Sequence, residues 1–246
     1  PLKWQKKRDI NQPLLEFLSS NATLAKAARF FRVNPKTIAT KLAFLGMMCR
    51  KKLAEEIAEY GPITTIQFDE LQTIEHTKCK PLSVAMAVTK KERKILGCVV
   101  SIMPATGHLA EISRKKYGQR PDNRRQGMRA LFEQLATHLS PTIDIASDEC
   151  TYYAPIVRQF FPQARYVQYK GKKGCIAGQG ELKKTRFDPI FSINHTFAML
   201  RSGISRLIRR TWNTTKKISA LEDHLSIYSW YHNNLSTPDL VTLTGS

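Results

Sequence analysis

The first sixty residues carry hydrophobic positions at helical spacing. Apolar side chains recur every three or four positions in four stretches, which we predict to be helices over residues 12–19, 24–31, 35–45 and 51–59. Thr23 is suited to cap the second helix, and Pro35 is suited to the first turn of the third, which we expect to end at Gly46. Two short helices joined by the tight break at residues 32–34 are typical of a helix-turn-helix motif.

The third predicted helix has an apolar and a polar side. The apolar stripe consists of Ile38, Leu42 and Leu45. The polar residues predicted to face outward are Lys36, Thr37, Thr40 and Lys41. On that face Lys36, Thr37 and Lys41 could contact phosphates and base edges in a major groove. The alternative is a small helical bundle with a solvated basic face.

After Gly61-Pro62 the hydrophobic spacing changes to that of strands. We predict strands over residues 63–71, 82–88, 95–103, 142–147 and 165–169. We predict helices over residues 127–139, 153–161, 189–210 and 218–232. Residues 113–126 and 170–188 show no strong period and are predicted to be loops, the first basic and the second rich in Gly and Lys.

This succession, with three strands before the first helix, is the element order of a ribonuclease-H-like domain. Such a domain has a mixed five-stranded sheet with helices on both faces. We therefore predict an α/β protein in which an all-α helix-turn-helix domain precedes the ribonuclease-H-like domain. The expected boundaries are residues 1–48 for the first domain, 49–62 for a linker helix, and 63–246 for the second domain.

Composition and charge narrow the class of partner. The 246 residues include 39 Lys and Arg against 20 Asp and Glu, a net charge of +19, which favours a polyanion such as DNA or RNA. The charge is uneven: residues 61–150 hold 13 basic and 10 acidic side chains, whereas residues 151–246 hold 14 and 5. No apolar run approaches the length of a membrane span, so we expect no membrane partner. Five widely spaced cysteines fit a reducing compartment.

Two aspartates in the less basic middle of the chain are candidate metal ligands. Asp69 lies in the first predicted strand and Asp148 follows the fourth, and these strands are neighbours in a ribonuclease-H-like sheet. A carboxylate buried in a strand is costly without a cation or donors, so a pair meeting there would suit Mg²⁺ or Mn²⁺. The alternative is that both acids are solvated at strand ends.

A third ligand is expected from the helix predicted over residues 189–210. Its core stripe is Ile193, Phe197, Leu200, Ile204 and Leu207. Asn194 lies one step round from this stripe, and its amide oxygen could ligate Mg²⁺ without adding charge. Glu181 is the competing candidate, although its Gly-rich surroundings make a poor platform for a ligand. A polar helix-edge position is the other interpretation of Asn194.

Several segments of the chain resemble bacterial insertion-sequence transposases of the acidic-triad class, in its Asp-Asp-Glu or Asp-Asp-Asn form. They are the strand around Asp69, the strand end at Asp148, the helical run 193–201, and the stretches 206–217 and 231–234. The resemblance is to small elements whose transposase carries a zinc ribbon and a helix-turn-helix before a ribonuclease-H-like domain. The zinc-ribbon cysteines are absent here, and the sequence begins at Pro1 rather than Met, so we expect a segment before it.

The resemblance implies a DNA transposase that cleaves phosphodiesters at transposon ends and joins them to target DNA. It implies two Mg²⁺ or Mn²⁺ ions held by Asp69, Asp148 and Asn194. The helix-turn-helix would bind terminal inverted repeats, and a homodimer would hold paired ends in the bacterial cytoplasm, at the nucleoid. Residues 165–217 hold 13 basic and 2 acidic side chains and are expected to bind phosphates. The arginines expected to do so are Arg201, Arg206, Arg209 and Arg210.

Three other functions fit the same residues. A ribonuclease-H-like nuclease, such as a junction resolvase, would cut DNA without joining it. A domesticated DNA-binding regulator would have Asn194 in a dead site. A basic structural protein would coat nucleic acid without sequence preference.

Overall fold

A computed structural model describes residues 5–170, 188–208 and 212–234. The helices are α1 (Asn11–Ser19), α2 (Leu24–Phe30), α3 (Pro35–Glu59), α4 (Leu109–Tyr117), α5 (Arg124–Leu135), α6 (Tyr153–Phe160), α7 (Phe191–Gly203) and α8 (Ile218–Asn233). The strands are β1 (Ile63–Glu75), β2 (Thr77–Thr89), β3 (Ile95–Ile102), β4 (Leu139–Asp148) and β5 (Arg165–Tyr169). All five predicted strands are confirmed, most of them longer than predicted.

The five strands form one mixed sheet in the order β3-β2-β1-β4-β5. β1 pairs antiparallel with β2, and β2 pairs antiparallel with β3. β4 pairs parallel with both β1 and β5. The predicted mixed five-stranded sheet is therefore confirmed, with the first and fourth strands as neighbours.

Each side of the sheet buries its own apolar cluster because successive strand residues point to opposite sides. On one side, Ile66 and Phe68 of β1 pack with residues of α3, α5 and α6. On the other, Leu71 packs with residues of α7 and α8. The predicted core stripe of the long helix lies in this second cluster, which confirms its burial.

The N-terminal helices form a third cluster with α8, which contributes Ile227 and Trp230. The predicted break at Gly46 is wrong, since α3 continues from Pro35 to Glu59. A Cβ atom added at Gly46 would lie 2.5 Å from Cβ of Asp223. The glycine therefore permits close packing of α3 against α8 and does not end the helix. α3 also crosses the predicted domain boundary at residue 48, and the domain division stays a prediction.

Two further elements differ from the predictions. The segment 113–126 is not all loop, because it contains most of α4 and the start of α5. α4 lacks a strong apolar stripe; it packs through the buried Ser113, whose hydroxyl donates to the Cys79 carbonyl at 2.7 Å. α7 ends at Gly203 rather than near residue 210. A Cβ atom added at Gly203 would lie 2.1 Å from the Tyr228 ring. Of the helices described here, none has the length and hydropathy needed to cross a bilayer.

Candidate active site

The register between β1 and β4 brings the two candidate aspartates together. Gln67 of β1 lies opposite Ala146 of β4 in a parallel pairing. The same offset continued for two residues places Asp69 opposite Asp148, on the same side of the sheet. The two carboxyl groups are close enough to influence each other's ionisation. The predicted juxtaposition of these residues is therefore present in the fold.

The surroundings of the pair disfavour two negative charges. Burial and then the charge of Asp148 raise the pKa of Asp69 to about 7. The Glu70 backbone N–H and the Tyr153 hydroxyl donate to Asp69 Oδ1 at 2.6 and 3.3 Å, which opposes that rise. Burial also raises the pKa of Asp148, whose Oδ1 is buried without a hydrogen-bond partner.

A buried glutamine fixes the start of α7 against β1. Gln67 is 1% exposed, and its Nε2 donates to the Pro189 carbonyl at 2.9 Å. Its Oε1 accepts from the Ile193 N–H at 3.1 Å. Gln67 lies two residues before Asp69 on the same side of β1, so this clamp determines where α7 begins relative to the carboxylate pair. Sequence reasoning missed Gln67; the only signal was a polar residue within an apolar strand.

Asn194 is held in the first turn of α7 by an aspartate that sequence reasoning also missed. Its Nδ2 donates to Asp188 Oδ2 at 2.8 Å, while Asp188 Oδ1 accepts from the Ile190 N–H at 3.0 Å. Asn194 is exposed and makes no side-chain hydrogen bond to Asp69 or Asp148. Since its nitrogen is engaged, the amide oxygen is the atom that could ligate a cation. The missed signal was an Asp-Pro step before a predicted helix, a frequent helix-start pattern.

The donor set fits a divalent cation in part. Two carboxylates with an unpartnered oxygen offer the hard ligands that Mg²⁺ and Mn²⁺ prefer. Within residues 5–170, 188–208 and 212–234, no three His, Cys, Asp or Glu side chains converge as a metal site. A third ligand from this part of the chain would therefore have to be neutral, as Asn194 is. Glu181 lies outside the described residues.

A second buried carboxylate, that of Glu70, lies on the other side of β1. Burial raises its pKa, while the Tyr152 and Ser83 hydroxyls and the Arg124 guanidinium oppose that rise. Neither hydroxyl reaches hydrogen-bond geometry, so Glu70 Oε1 is also unpartnered. Arg124 pairs with Asp122 at 2.6 Å and lies 5.8 Å from the Tyr152 ring centroid. Glu70 therefore faces donors and a cation.

The predicted outer face of the helix-turn-helix is correct only in part. Thr23 caps α2 as predicted, accepting from the Lys26 N–H at 3.1 Å. Lys36 is exposed and Thr37 is partly exposed. The outward placement of Lys41 is wrong: it is 2% exposed, and its Nζ donates to Asn11 Oδ1 at 2.6 Å. Three positions after Ile38, Lys41 falls on the packed side of α3, and burial lowers its pKa.

The prediction for the phosphate-binding arginines is also correct only in part. Arg201 is partly exposed on α7. Arg206 is 8% exposed, and burial lowers its pKa to about 10, so its predicted place on a phosphate-binding surface is wrong. The physical reason is that α7 ends at Gly203 and Arg206 lies in the buried 3₁₀ turn at residues 205–207, whereas membership of a basic stretch says nothing about which of its side chains are buried. Arg209 and Arg210 lie outside the described residues.

No protein-family model matches this sequence, and neither does any curated protein. The fold and the site define an α/β protein with a carboxylate pair on two neighbouring parallel strands.

Proposed function

We propose that this protein is a divalent-metal-dependent DNA transposase whose sheet is that of a ribonuclease-H-like catalytic domain. The observation that carries the proposal is the Asp69–Asp148 pair, partly buried on parallel neighbours of a sheet in the order 3-2-1-4-5. Two like charges in this position destabilise the fold and need a compensating cation. The excess of positive charge over the whole chain supports DNA as the substrate.

Each site residue has a separate task in this proposal. Asp69 and Asp148 would hold Mg²⁺ or Mn²⁺, and Asn194 would complete the site through its amide oxygen. Two bound ions would activate the attacking oxygen and neutralise charge on the phosphodiester. The Tyr153 hydroxyl and the Glu70 N–H orient the Asp69 carboxylate, since both donate to one of its oxygens. Cleavage would free a 3′-hydroxyl, and the same site would then position that hydroxyl for attack on target DNA.

Double-stranded DNA would be held by other parts of the chain. Lys36 and Thr37 at the start of α3 are the remaining candidates for contact with terminal inverted repeats. Arg201, together with Arg209 and Arg210, would contact phosphates. Because two transposon ends must be joined to one target, we expect at least a homodimer on paired ends.

The test is a cleavage and strand-transfer assay. Labelled duplexes taken from the DNA on either side of the coding sequence are incubated with protein, Mn²⁺ and a supercoiled plasmid. A transposase yields nicked ends and products joined to the plasmid. Cleavage without joined products would favour the nuclease or resolvase. If the protein neither cleaves the duplexes nor binds them with sequence preference, the proposal is contradicted. The basic protein that coats nucleic acid would then be the remaining interpretation.

A catalytically inactive regulator is the second candidate. It is favoured by the neutral Asn194, whose amide nitrogen is engaged by Asp188, and by the absence of a third acid near the pair among the residues described. A wild-type protein that binds ends without cutting them, and that gains cleavage on Asn194→Glu, would establish it. Loss of cleavage on Asn194→Ala in an active protein would exclude it.

A further inference from the structure

Five cations lie on two elements that pack together, α4 and the start of β2. They are Lys78 and Lys80 of β2 and Arg114, Lys115 and Lys116 of α4, which we call the basic ledge. All but Lys80 are exposed. Lys80 and Lys116 place their ammonium groups 5.0 and 5.5 Å from the ring centroid of Tyr117. The ledge therefore concentrates positive charge beside an exposed aromatic ring.

The charges of the ledge are not neutralised within the described part of the chain. None of the five cations forms an ion pair with an acidic side chain there. By contrast, Arg120 and Arg124, which follow α4 directly, pair with Glu75 and Asp122. Cations in the last turn of a helix are favoured by its dipole, which accounts for the α4 members. It does not account for Lys78 and Lys80 on the adjoining strand.

The ledge is held rigidly on the sheet. Ser113 is 3% exposed and donates to the Cys79 carbonyl, which lies between the two ledge lysines of β2. Just beyond α4, the Arg120 guanidinium donates to the carbonyls of Met103 and Pro81 at 3.4 and 3.3 Å. These contacts fix α4 before any ligand arrives, which reduces the entropy cost of binding.

The ledge lies towards the end of the sheet to which β1 and β4 run. Asp69 pairs with Met86 of β2, and Cys79 lies seven residues from Met86 along that strand. At about 3.3 Å per residue, the anchor of α4 is about 23 Å along the sheet from the carboxylate pair. That separation corresponds to about seven base pairs of duplex at about 3.4 Å each.

We propose that the basic ledge binds the phosphate backbone of double-helical DNA about seven base pairs from the position where the carboxylate pair acts. The spacing rests on the proposed function, whereas binding of the backbone by the ledge does not. Point charges on long side chains suit contacts that do not depend on base sequence. Tyr117 holds two of the ammonium groups by their attraction to its ring and thereby limits their spread.

The test compares two matched pairs of adjacent, exposed lysines. Lys115→Gln/Lys116→Gln removes two charges from the ledge, and Lys90→Gln/Lys91→Gln removes two from the turn at the opposite end of β2. Binding of a fluorescein-labelled DNA duplex of about 30 base pairs is measured in EDTA between about 50 and 300 mM NaCl. We expect the ledge variant to reduce the slope of log K against log salt by about 2 and to weaken binding about tenfold at low salt. The control variant should bind within about twofold of wild type.

Equal weakening by both pairs would assign the effect to overall charge and overturn the proposal, as would no change in either. Tighter binding of an RNA duplex of the same sequence, lost in the ledge variant, would overturn the choice of DNA. Circular dichroism and thermal melting check that both variants fold, and Lys115→Arg/Lys116→Arg should restore binding. Because EDTA prevents metal-dependent chemistry, the binding assay tests the ledge independently of cleavage and strand transfer. Failure of one proposal can therefore be told apart from failure of the other.

Discussion

Asp69 and Glu70 are consecutive residues of β1 that point to opposite sides of the sheet. Both carboxyl groups have a pKa raised by burial. Glu70 is near two hydroxyls and a guanidinium that favour its charged form, and these outweigh the opposing charge of Asp122 among its neighbours. Asp69 faces the carboxylate of Asp148, which disfavours the charged form of Asp69. Burial of an acid therefore does not identify a site; the neighbours decide whether its charge is already compensated or needs an added cation.

The comparison separates a structural acid from a candidate catalytic acid. Glu70 faces two hydroxyls and a guanidinium rather than a partner carboxylate across a strand pair, so its removal should affect mainly the free energy of unfolding. The Asp69–Asp148 pair stores repulsion that the fold does not relieve, which is expected of residues retained for function. Changing each acid separately tests this distinction.

The largest expected effect is on cleavage. Asp69→Ala and Asp148→Ala should each reduce metal-dependent DNA cleavage by about 1,000-fold or more, equivalent to about 4 kcal/mol, because each removes a ligand of the catalytic cation. Binding of the same duplex in EDTA should be unchanged. Product formation on a labelled duplex with Mn²⁺ measures the first quantity, and fluorescence anisotropy measures the second.

Glu70→Gln is the matched control for this prediction. It removes a buried negative charge one residue away but on the other side of β1, so cleavage should stay within about threefold of wild type. Equal loss of cleavage in Glu70→Gln and Asp69→Ala would break the comparison. Wild-type cleavage by either aspartate variant would remove the pair from the site.

The next largest effect concerns the clamp on Asp69's side of β1. Gln67→Ala should reduce the free energy of unfolding by about 2–3 kcal/mol, since the Pro189 carbonyl and the Ile193 N–H would each lose a buried partner. Urea unfolding measures this change. Cleavage measured below the melting temperature should also fall while duplex binding in EDTA holds, because α7 would no longer be fixed beside the pair. Full cleavage at normal rates would show that the start of α7 does not position the site.

Glu70→Ala should have a smaller effect, destabilising the fold by about 1–2 kcal/mol because it removes the attraction of the carboxylate for the nearby Tyr152 and Ser83 hydroxyls and the Arg124 guanidinium. A double-mutant cycle with Tyr152→Phe should give a coupling energy of about 1 kcal/mol. Glu70→Gln, which keeps an acceptor oxygen, should cost less. A more stable Glu70→Ala variant would show that Glu70 is repelled rather than compensated.

The sheet and the aspartate pair could be predicted because both depend on local signals. Strand-like runs predict the element order, and the likeness of that order to a ribonuclease-H-like domain leads to the expectation that the strands of Asp69 and Asp148 are neighbours, as they are in the sheet. Gln67 could not be found in this way, because its partners are backbone groups of a segment distant from β1. The Asp-Pro step at Asp188 indicates a helix start, but not that its carboxylate also accepts from the Asn194 side chain. Their roles follow from where α7 lies against the sheet.

The errors have a common physical cause. Lys41 is predicted to face outward because it belongs to the polar side of its helix, and Arg206 is predicted to bind phosphates because it lies in the basic stretch 165–217. Lys41 is buried beside Asn11, and Arg206 follows a helix that ends early at Gly203. Gly46 is predicted to end a helix, whereas its missing side chain lets α3 pack closely against α8. In each case tertiary packing overrides a rule that is valid for the isolated segment.

The smallest predicted effect is a gain in stability, opposite in direction to the loss expected for Glu70→Ala. In EDTA at pH 8, Asp148→Asn should stabilise the fold by about 1 kcal/mol, because it removes the charge that repels Asp69. The folded pKa of Asp69, about 7, lies above the value of about 3.9 expected for an unfolded chain. The folded protein therefore holds extra protons between about pH 4 and pH 7, and wild-type stability is lost as pH rises through this window. The gain from Asp148→Asn should accordingly be full above pH 7 and vanish below about pH 4.

Asp144→Asn is the control, because Asp144 lies on the same strand but in an exposed pair with Arg165 at 3.0 Å. It should change stability by less than about 0.5 kcal/mol at either pH. Thermal melting across this range measures both variants, and destabilisation by Asp148→Asn at pH 8 would show that the pair does not carry unrelieved repulsion.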